Sequence, residues 1–376
     1  MKKFILLLFF IPVFTFAESM YSPTWGFFID LPEGYNYVDG DARDRFSFSG
    51  PDGLQFDLVV YGSAYNTIQE LAEDINRRIS NRGDVDFFEY RGRQAAVFEL
   101  VFGGNAGWGL AVELDIPASS NGSQRPKLLA LAYGPSARRE LDLFHVSALD
   151  SIAPSIEERR YPGPLIEYSY PRGEARLTPL AVSGLSALIH ENDAEAAQVL
   201  VEREFSILEA YLNTPFLRSA CIRYYRFIYR DSFDRISDAV SVIARNMGGA
   251  AVTTNNEKSA FAQRALSFVQ GFNYERDLSG SDFINLVTAV TDGRGDCDSR
   301  SMLFALMLAN VNIRSAIMLS HHYSHSMGLA DVTGNGARYE SMGVQYLVAE
   351  TTARVNIGLI AEDLSDPRHW FAVFFE

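Results

Sequence analysis

The stretch TDGRGDCDSRSMLFALMLANVNI, Thr291 to Ile313, changes character at one point. Gly293 and Gly295 make a flexible turn, and Asp296 stands where a helix N-cap is expected. From there Met302, Ala305, Leu306 and Ala309 recur at helical spacing, with Leu303 and Met307 supplying a second apolar side. The spacing predicts a buried helix whose first turn carries Cys297. A thiol attacks as its thiolate, and a free cysteine titrates at about 8.5. The unpaired amides and partial positive charge of a helix start favour the anion, which marks Cys297 as a candidate nucleophile.

Downstream lie a candidate imidazole and a strand-end carboxylate. Ile313 to Ser320 is a strand-like run, His325 opens HSMGLADV, and Glu350 closes the apolar run of VQYLVAETTA, Val344 to Ala353. An imidazole beside the thiol would favour the anion and could shuttle its proton. Each residue has a plainer reading. Cys297 serves equally as a small buried hydrophobe, or as half of a disulfide with Cys221, the second of two cysteines. Glu350 alone reads as a solvated strand-end carboxylate. His322 is the alternative to His325.

The group His321, His322 and His325 invites a metal reading, but H-H-x-x-H is not the helical i, i+4 pair of zinc proteases and encloses no glutamate. His145, His190 and His369 have no evident companions. Cys221, beside Ile222 on an amphipathic helix, reads as core packing. The Gly293–Gly295 turn is not a phosphate loop, because no Lys-Ser/Thr follows it.

The ordered set of segments resembles the transglutaminase-like superfamily, which has a papain-type thiol fold. The match spans about residues 260–365. It begins with FVQGFNYERD (Phe268 to Asp277), passes through GDC at the helix start, His325 at a strand start and Glu350 at a strand end, and finishes with NIGLIAEDL. The resemblance implies Cys297 as nucleophile, His325 as general base and Glu350 as orienting acid. It implies the Cys297 amide, with Gln270, as an oxyanion site, and it implies no cofactor and no metal. The chain departs from the family pattern in having Ser326 and Met327 where an aromatic follows the histidine, and Glu where Asp is usual.

Residues 18–153 read as a separate unit. Short runs at Trp25–Leu31, Phe46–Ser49, Leu54–Tyr61, Val85–Tyr90, Gln94–Phe102, Trp108–Ile116 and Lys127–Ala132 are aromatic or β-branched and bounded by Gly, Pro and Asp. Helical spacing appears at Thr67–Ile79 and Ala137–Leu149. The expectation is a sheet with both helices on one face. GFFIDLPEGY and YRGRQAAVFEL resemble the Mog1/PsbP-like α/β sandwich. Residues 154–175, with four prolines, read as a linker. Residues 176–258 read as a helical region, with Asn192 and Glu195 as a cap, before the transglutaminase-like domain at 259–376. The fold class expected is therefore α+β: an N-terminal α/β sandwich, a helical middle region and a C-terminal papain-type domain.

Lys2 and Lys3 followed by the apolar run Phe4 to Phe16, then Thr15-Phe16-Ala17, read as a cleaved signal peptide over residues 1–17. That run is shorter than the roughly 20 residues a spanning helix needs. An exported protein, periplasmic or extracellular and not integral to the membrane, is expected. The formal charge is −14, and −16 without Lys2 and Lys3, which argues against nucleic acid as a partner. Two function classes follow. One is an exported thiol enzyme (peptidase, amidase or acyltransferase) acting on a peptide or protein of the cell envelope. The other is a non-catalytic envelope binding protein on the same scaffold.

Overall fold

The computed structural model describes residues 19–79, 84–116, 124–276 and 280–375, so the expected signal peptide lies outside the described residues. The chain mixes α and β structure and divides into two compact units, Met1–Ser155 and Ile156–Glu376. Among the described residues, no helix is long and apolar enough to cross a membrane.

The first unit is built on a seven-stranded antiparallel sheet. Its strands are β1 (Asn36–Gly40), β2 (Arg45–Ser49), β3 (Gln55–Tyr61), β4 (Val85–Tyr90), β5 (Arg93–Phe102), β6 (Asn105–Glu113) and β7 (Lys127–Pro135). They lie in the order β1-β2-β3-β7-β6-β5-β4. Six of the seven fall where the strand composition places them. β1 has no such signal because all five of its residues are exposed. Helix α1 (Ile68–Ile79) lays Ile68, Leu71 and Ile75 over Ala96, Phe98, Ala111 and Leu129.

Helix α2 (Asp142–Asp150) does not share that face, contrary to the expectation. A Cβ added to Gly134 would meet His145 and Leu141, so this end of the chain packs on the even-numbered side of β7, whereas α1 covers Leu129 on the odd-numbered side. Side chains alternate across a strand, so the two helices cover opposite faces. The run Leu128 to Ala130 is accordingly buried at every position.

The second unit carries the candidate site. Its first segment, expected as a linker, instead forms helix α3 (Pro164–Ser169), whose Leu165 and Ile166 are buried. Residues 176–190, expected to be helical, form a hairpin of β8 (Ala175–Pro179) and β9 (Ser186–His190) that turns at Gly184, where φ is +79°. Leu177 and Leu188 pair across its outer face and are exposed, which hides the alternation that marks a strand. Helices α4 (Asp193–Glu209), α5 (Leu217–Arg235), α6 (Ser237–Asn246), α7 (Asn255–Val269), α8 (Leu286–Asp292) and α9 (Cys297–Asn310) follow. Asn192 takes the N-cap position of α4, but its side chain donates to the Pro171 carbonyl and leaves the helix uncapped.

A five-stranded antiparallel sheet closes the unit: β10 (Ser315–Ser320), β11 (His325–Ala330), β12 (Arg338–Ser341), β13 (Val344–Ala349) and β14 (Phe371–Phe374), in the order β12-β13-β11-β10-β14. Helix α9 is buried along nearly its whole length and packs on β11 and β10. One hydrophobic core runs from Ile166 through the helices, with Phe304 and Met307 of α9 in it, to Val373. The helical region and the C-terminal residues thus share one core.

Candidate active site

The three residues singled out from the sequence all lie at ends of elements that meet. Cys297 is the first residue of α9, and Asp296 caps that helix by accepting from the Ser299 amide at 2.8 Å and the Ser299 hydroxyl at 2.5 Å. His325 is the first residue of β11. Glu350 directly follows β13, the neighbour of β11 in the sheet. His325 Nε2 is 2.9 Å from Glu350 Oε2. Glu350 Oε1 accepts from the Thr352 amide at 2.7 Å and the Thr352 hydroxyl at 2.6 Å. Burial alone would raise the Glu350 carboxyl. The His325 bond and charge, with the two Thr352 bonds, outweigh it and hold the group below its ordinary value, so it is a carboxylate.

Cys297 and His325 line one cleft of about 290 Å³, together with Cys221, Tyr225, Tyr274 and Asp298. Both cysteines are free thiols. Cys221 belongs to the hydrophobic core and also borders the cleft, and burial pushes its thiol up to about 12. Among the described residues the hydrogen-bond acceptor of the Cys297 thiol is Asp298 Oδ1, at 3.8 Å, rather than His325. Burial pushes the Cys297 thiol well up, and the charges of Asp298 and Asp296 push it further. The helix-start effect expected from the sequence is outweighed here, first by burial and then by the two nearby carboxylates.

Several residues that hold the site escaped the sequence reading. Arg300 is fully buried one turn after Cys297. It donates to the carbonyls of Gly295, Phe272 and Thr351, tying the helix start to the segment beyond Glu350. Ser301 and Thr351 share a hydroxyl bond at 3.1 Å across the same seam. Asp298 adjoins the cysteine in sequence, and that adjacency was its available signal. Burial raises the Asp298 carboxyl, while the hydroxyls of Ser326 and Tyr225 and the His325 charge oppose the rise.

Gln270 does not serve the oxyanion role that the resemblance implied. Its amide nitrogen donates to the Glu350 and Val355 carbonyls, at 2.8 and 3.0 Å, so the side chain braces the loop behind the acid. The histidines also sort differently from expectation. His369 has a companion, since its ring stacks on His322 with centroids 4.0 Å apart. Among the described residues, the group that offers three potential metal-ligand atoms close together is Asp296, Cys297 and Asp298, within 4.8 Å of one another, and not the histidines.

No family model matches the chain, and no curated protein matches it. Among solved structures, a crystal structure of a proposed protease from Parabacteroides distasonis is similar at 11% identity and a TM-score of 0.23, over 80% of this chain and 42% of that one. The chain thus spans less than half the length of that protein, and a likeness this distant carries no argument about fold or activity.

Proposed function

We propose that this chain is an exported thiol enzyme of the transglutaminase-like, papain-type class, cleaving or transferring an acyl group through a thioester on Cys297. The observation that carries the reading is the His325–Glu350 bond at 2.9 Å on adjacent strands, beside a helix that begins with a cysteine in the same cleft. With Nε2 engaged by Glu350, Nδ1 is the ring nitrogen that remains to accept a proton. That is the tautomer a general base needs.

In the proposed cycle the Cys297 proton passes to His325, and the sulfur adds to the substrate carbonyl carbon. The imidazolium then protonates the departing amine as the C–N bond breaks, leaving a thioester. Water or a second amine, deprotonated by the same imidazole, attacks the thioester and returns the proton to sulfur. In this cycle the Cys297 amide, first in its helix, serves the oxyanion. The basic, apolar start of the sequence supports export, and with it a peptide substrate of the cell envelope.

A non-catalytic binding role is favoured by one specific observation, the thiol resting against Asp298 rather than His325. Labelling of the purified protein with a thiol-directed acyl probe, read by mass spectrometry, separates the two. The enzyme reading expects labelling that Cys297→Ala abolishes and Cys221→Ala leaves intact. Equal labelling of both variants overturns it.

A further inference from the structure

His325 is flanked from both sides along one face of the sheet. Ser320, at the end of β10, pairs with His325, and Leu319 pairs with Phe371 of β14, so Trp370 arrives beside Ser320 on its other flank. Gly328 pairs with Ala349, which brings Glu350 beside Met327, two residues along β11 from His325. Side chains alternate across a strand. His325, Glu350 and Trp370 therefore share the face opposite the one on which Leu319, Ala349 and Phe371 join the core with α9.

The Trp370 and His325 rings meet across the small side chain of Ser320, with centroids 6.3 Å apart and planes at 70°. Edge-to-face contact of this kind is favourable between aromatic rings. The indole is itself fixed. Its Nε1 donates to the Leu364 carbonyl at 2.8 Å, and the Tyr323 ring packs against it with centroids 5.6 Å apart. Trp370 is 6% exposed, against 15% for the His325 side chain that it adjoins. It is not among the residues that line the cleft, so it acts on a bound substrate only through the imidazole.

We infer that Trp370 is a positioning residue, which fixes the plane of the His325 ring and shuts water away from its bond to Glu350. One hydrogen bond at Nε2 leaves an imidazole free to rock about that bond, because the terminal torsion of histidine is broad. Rocking swings Nδ1, the nitrogen that has to reach the Cys297 thiol. Misplacement by about 1 Å costs roughly 100-fold in rate. The indole blocks that swing on the side of the ring away from β13. Withdrawn from water, the bond between imidazole and carboxylate is also electrostatically stronger.

This role rests on the proposed acyl-transfer chemistry, and the test separates the two. Exchange of the His325 Nε2 proton with water is measured by NMR of the ¹⁵N-labelled Cys297→Ala variant, the signal being assigned by its loss in His325→Gln. Trp370→Leu is expected to speed that exchange about tenfold or more. Trp370→Phe, which keeps a ring but loses the bond to Leu364, is expected to change it by less than about threefold. With Cys297 present, the maximal rate of acyl-probe labelling should fall about tenfold or more in Trp370→Leu, with the half-saturating probe concentration unchanged. Trp370→Phe should restore most of that rate. Unchanged exchange in Trp370→Leu overturns the inference, whether or not the native chain is labelled. Equal losses in Trp370→Leu and Trp370→Phe also overturn it, because they trace the effect to the Leu364 bond and not to the ring. Faster exchange in Trp370→Leu without Cys297-dependent labelling of the native chain overturns the enzyme reading and leaves the placement of the imidazole standing. If Trp370→Leu fails to fold, Tyr323→Leu, which removes the ring packed against the indole, takes its place. It is expected to speed exchange about threefold, and no change overturns the inference.

Discussion

Asp298 Oδ1 accepts the Cys297 thiol proton at 3.8 Å, so the sulfur at the start of α9 rests against a carboxylate and not against the imidazole of His325. A negative neighbour disfavours a second negative charge, and here it adds to the burial that already keeps the thiol protonated. The free site is therefore held in its unreactive form by burial, reinforced by the residue next in sequence to its candidate nucleophile.

Replacing Asp298 with Asn removes that charge and keeps the size of the side chain. Cys297 is then expected to react with iodoacetamide at pH 7 roughly tenfold faster, equivalent to about 1.4 kcal/mol. The rate is measured in a Cys221→Ala background, so that a single thiol is followed. An unchanged or slower rate shows that burial alone, without Asp298, sets the thiol.

Glu350→Gln tests the orienting acid. The Gln oxygen can still accept from Thr352, which leaves its NH₂ group facing His325 Nε2. That nitrogen must then become the acceptor, the proton moves to Nδ1, and the ring can no longer take the thiol proton. Loss of the analogous tautomer control in hydrolytic triads costs about 10⁴-fold. Acyl-probe labelling of Cys297 is expected to fall at least 100-fold while circular dichroism stays native. The native pair also has a pH signature. Because Glu350 titrates below its ordinary value in the fold, its stabilisation is complete above the unfolded value of 4.5 and is lost as pH falls through the lower folded one. The native chain should lose this increment of Tm below pH 4.5, and Glu350→Gln should not.

Asp296 has the opposite sign. Burial raises its carboxyl well above the ordinary 3.8, the Asp298 charge adds to the rise, and the two Ser299 bonds only partly oppose it. Ionised Asp296 is thus a cost to the fold at neutral pH. Asn caps a helix as well as Asp does and retains an oxygen for the Ser299 amide. Asp296→Asn is expected to stabilise the second unit by about 1 kcal/mol at pH 7, roughly 2–4 °C in Tm. The gain is fully present above the raised folded value and vanishes below 3.8, where the native carboxyl is protonated in both states. A gain that persists at pH 3 would show that charge is not its source.

Cys297 stands out in the sequence because it opens an apolar helical run, whereas His325 and Glu350 stand out through the resemblance, each at a strand boundary. The helix from Asp296 and the strands about His325 and Glu350 follow from the spacing of apolar residues. The influence of Asp298 is not legible, since it depends on how deeply the cleft withdraws that carboxylate from water. Arg300 misleads for a related reason: a charged residue in a helix's first turn reads as solvated, yet here it is buried on the nearby Gly295 carbonyl and on the Phe272 and Thr351 carbonyls of two distant segments. The β8–β9 hairpin escapes because Leu177 and Leu188 put apolar side chains on its exposed face. The two-sided cover of the first unit's sheet was visible in the continuous run Leu128-Leu129-Ala130, which an unshielded face would have broken with polar residues.

The seating of α9 on the sheet depends on one missing side chain. Gly328 lies in β11, paired with Ala349 of β13, one residue before Glu350 and three residues after His325. A Cβ there would lie 2.5 Å from Phe304 Cδ1 and 3.4 Å from the Ala349 Cβ. The first distance is a clash, and the ring is fully buried with little room to turn. Gly328→Ala is therefore expected to destabilise the second unit by about 1–3 kcal/mol. It should also push α9 away from β11, carrying Cys297 away from His325 and slowing acyl-probe labelling. Phe304→Leu alone is expected to cost about 1 kcal/mol or more through the lost ring volume. In the double variant the smaller side chain accepts the new methyl, so the two penalties should add to more than the observed loss by at least 0.5 kcal/mol, a coupling readable from a denaturant double-mutant cycle. Strict additivity would mean that the strand and helix separate in Gly328→Ala instead of straining against each other, and that the contact does not set the position of the cysteine.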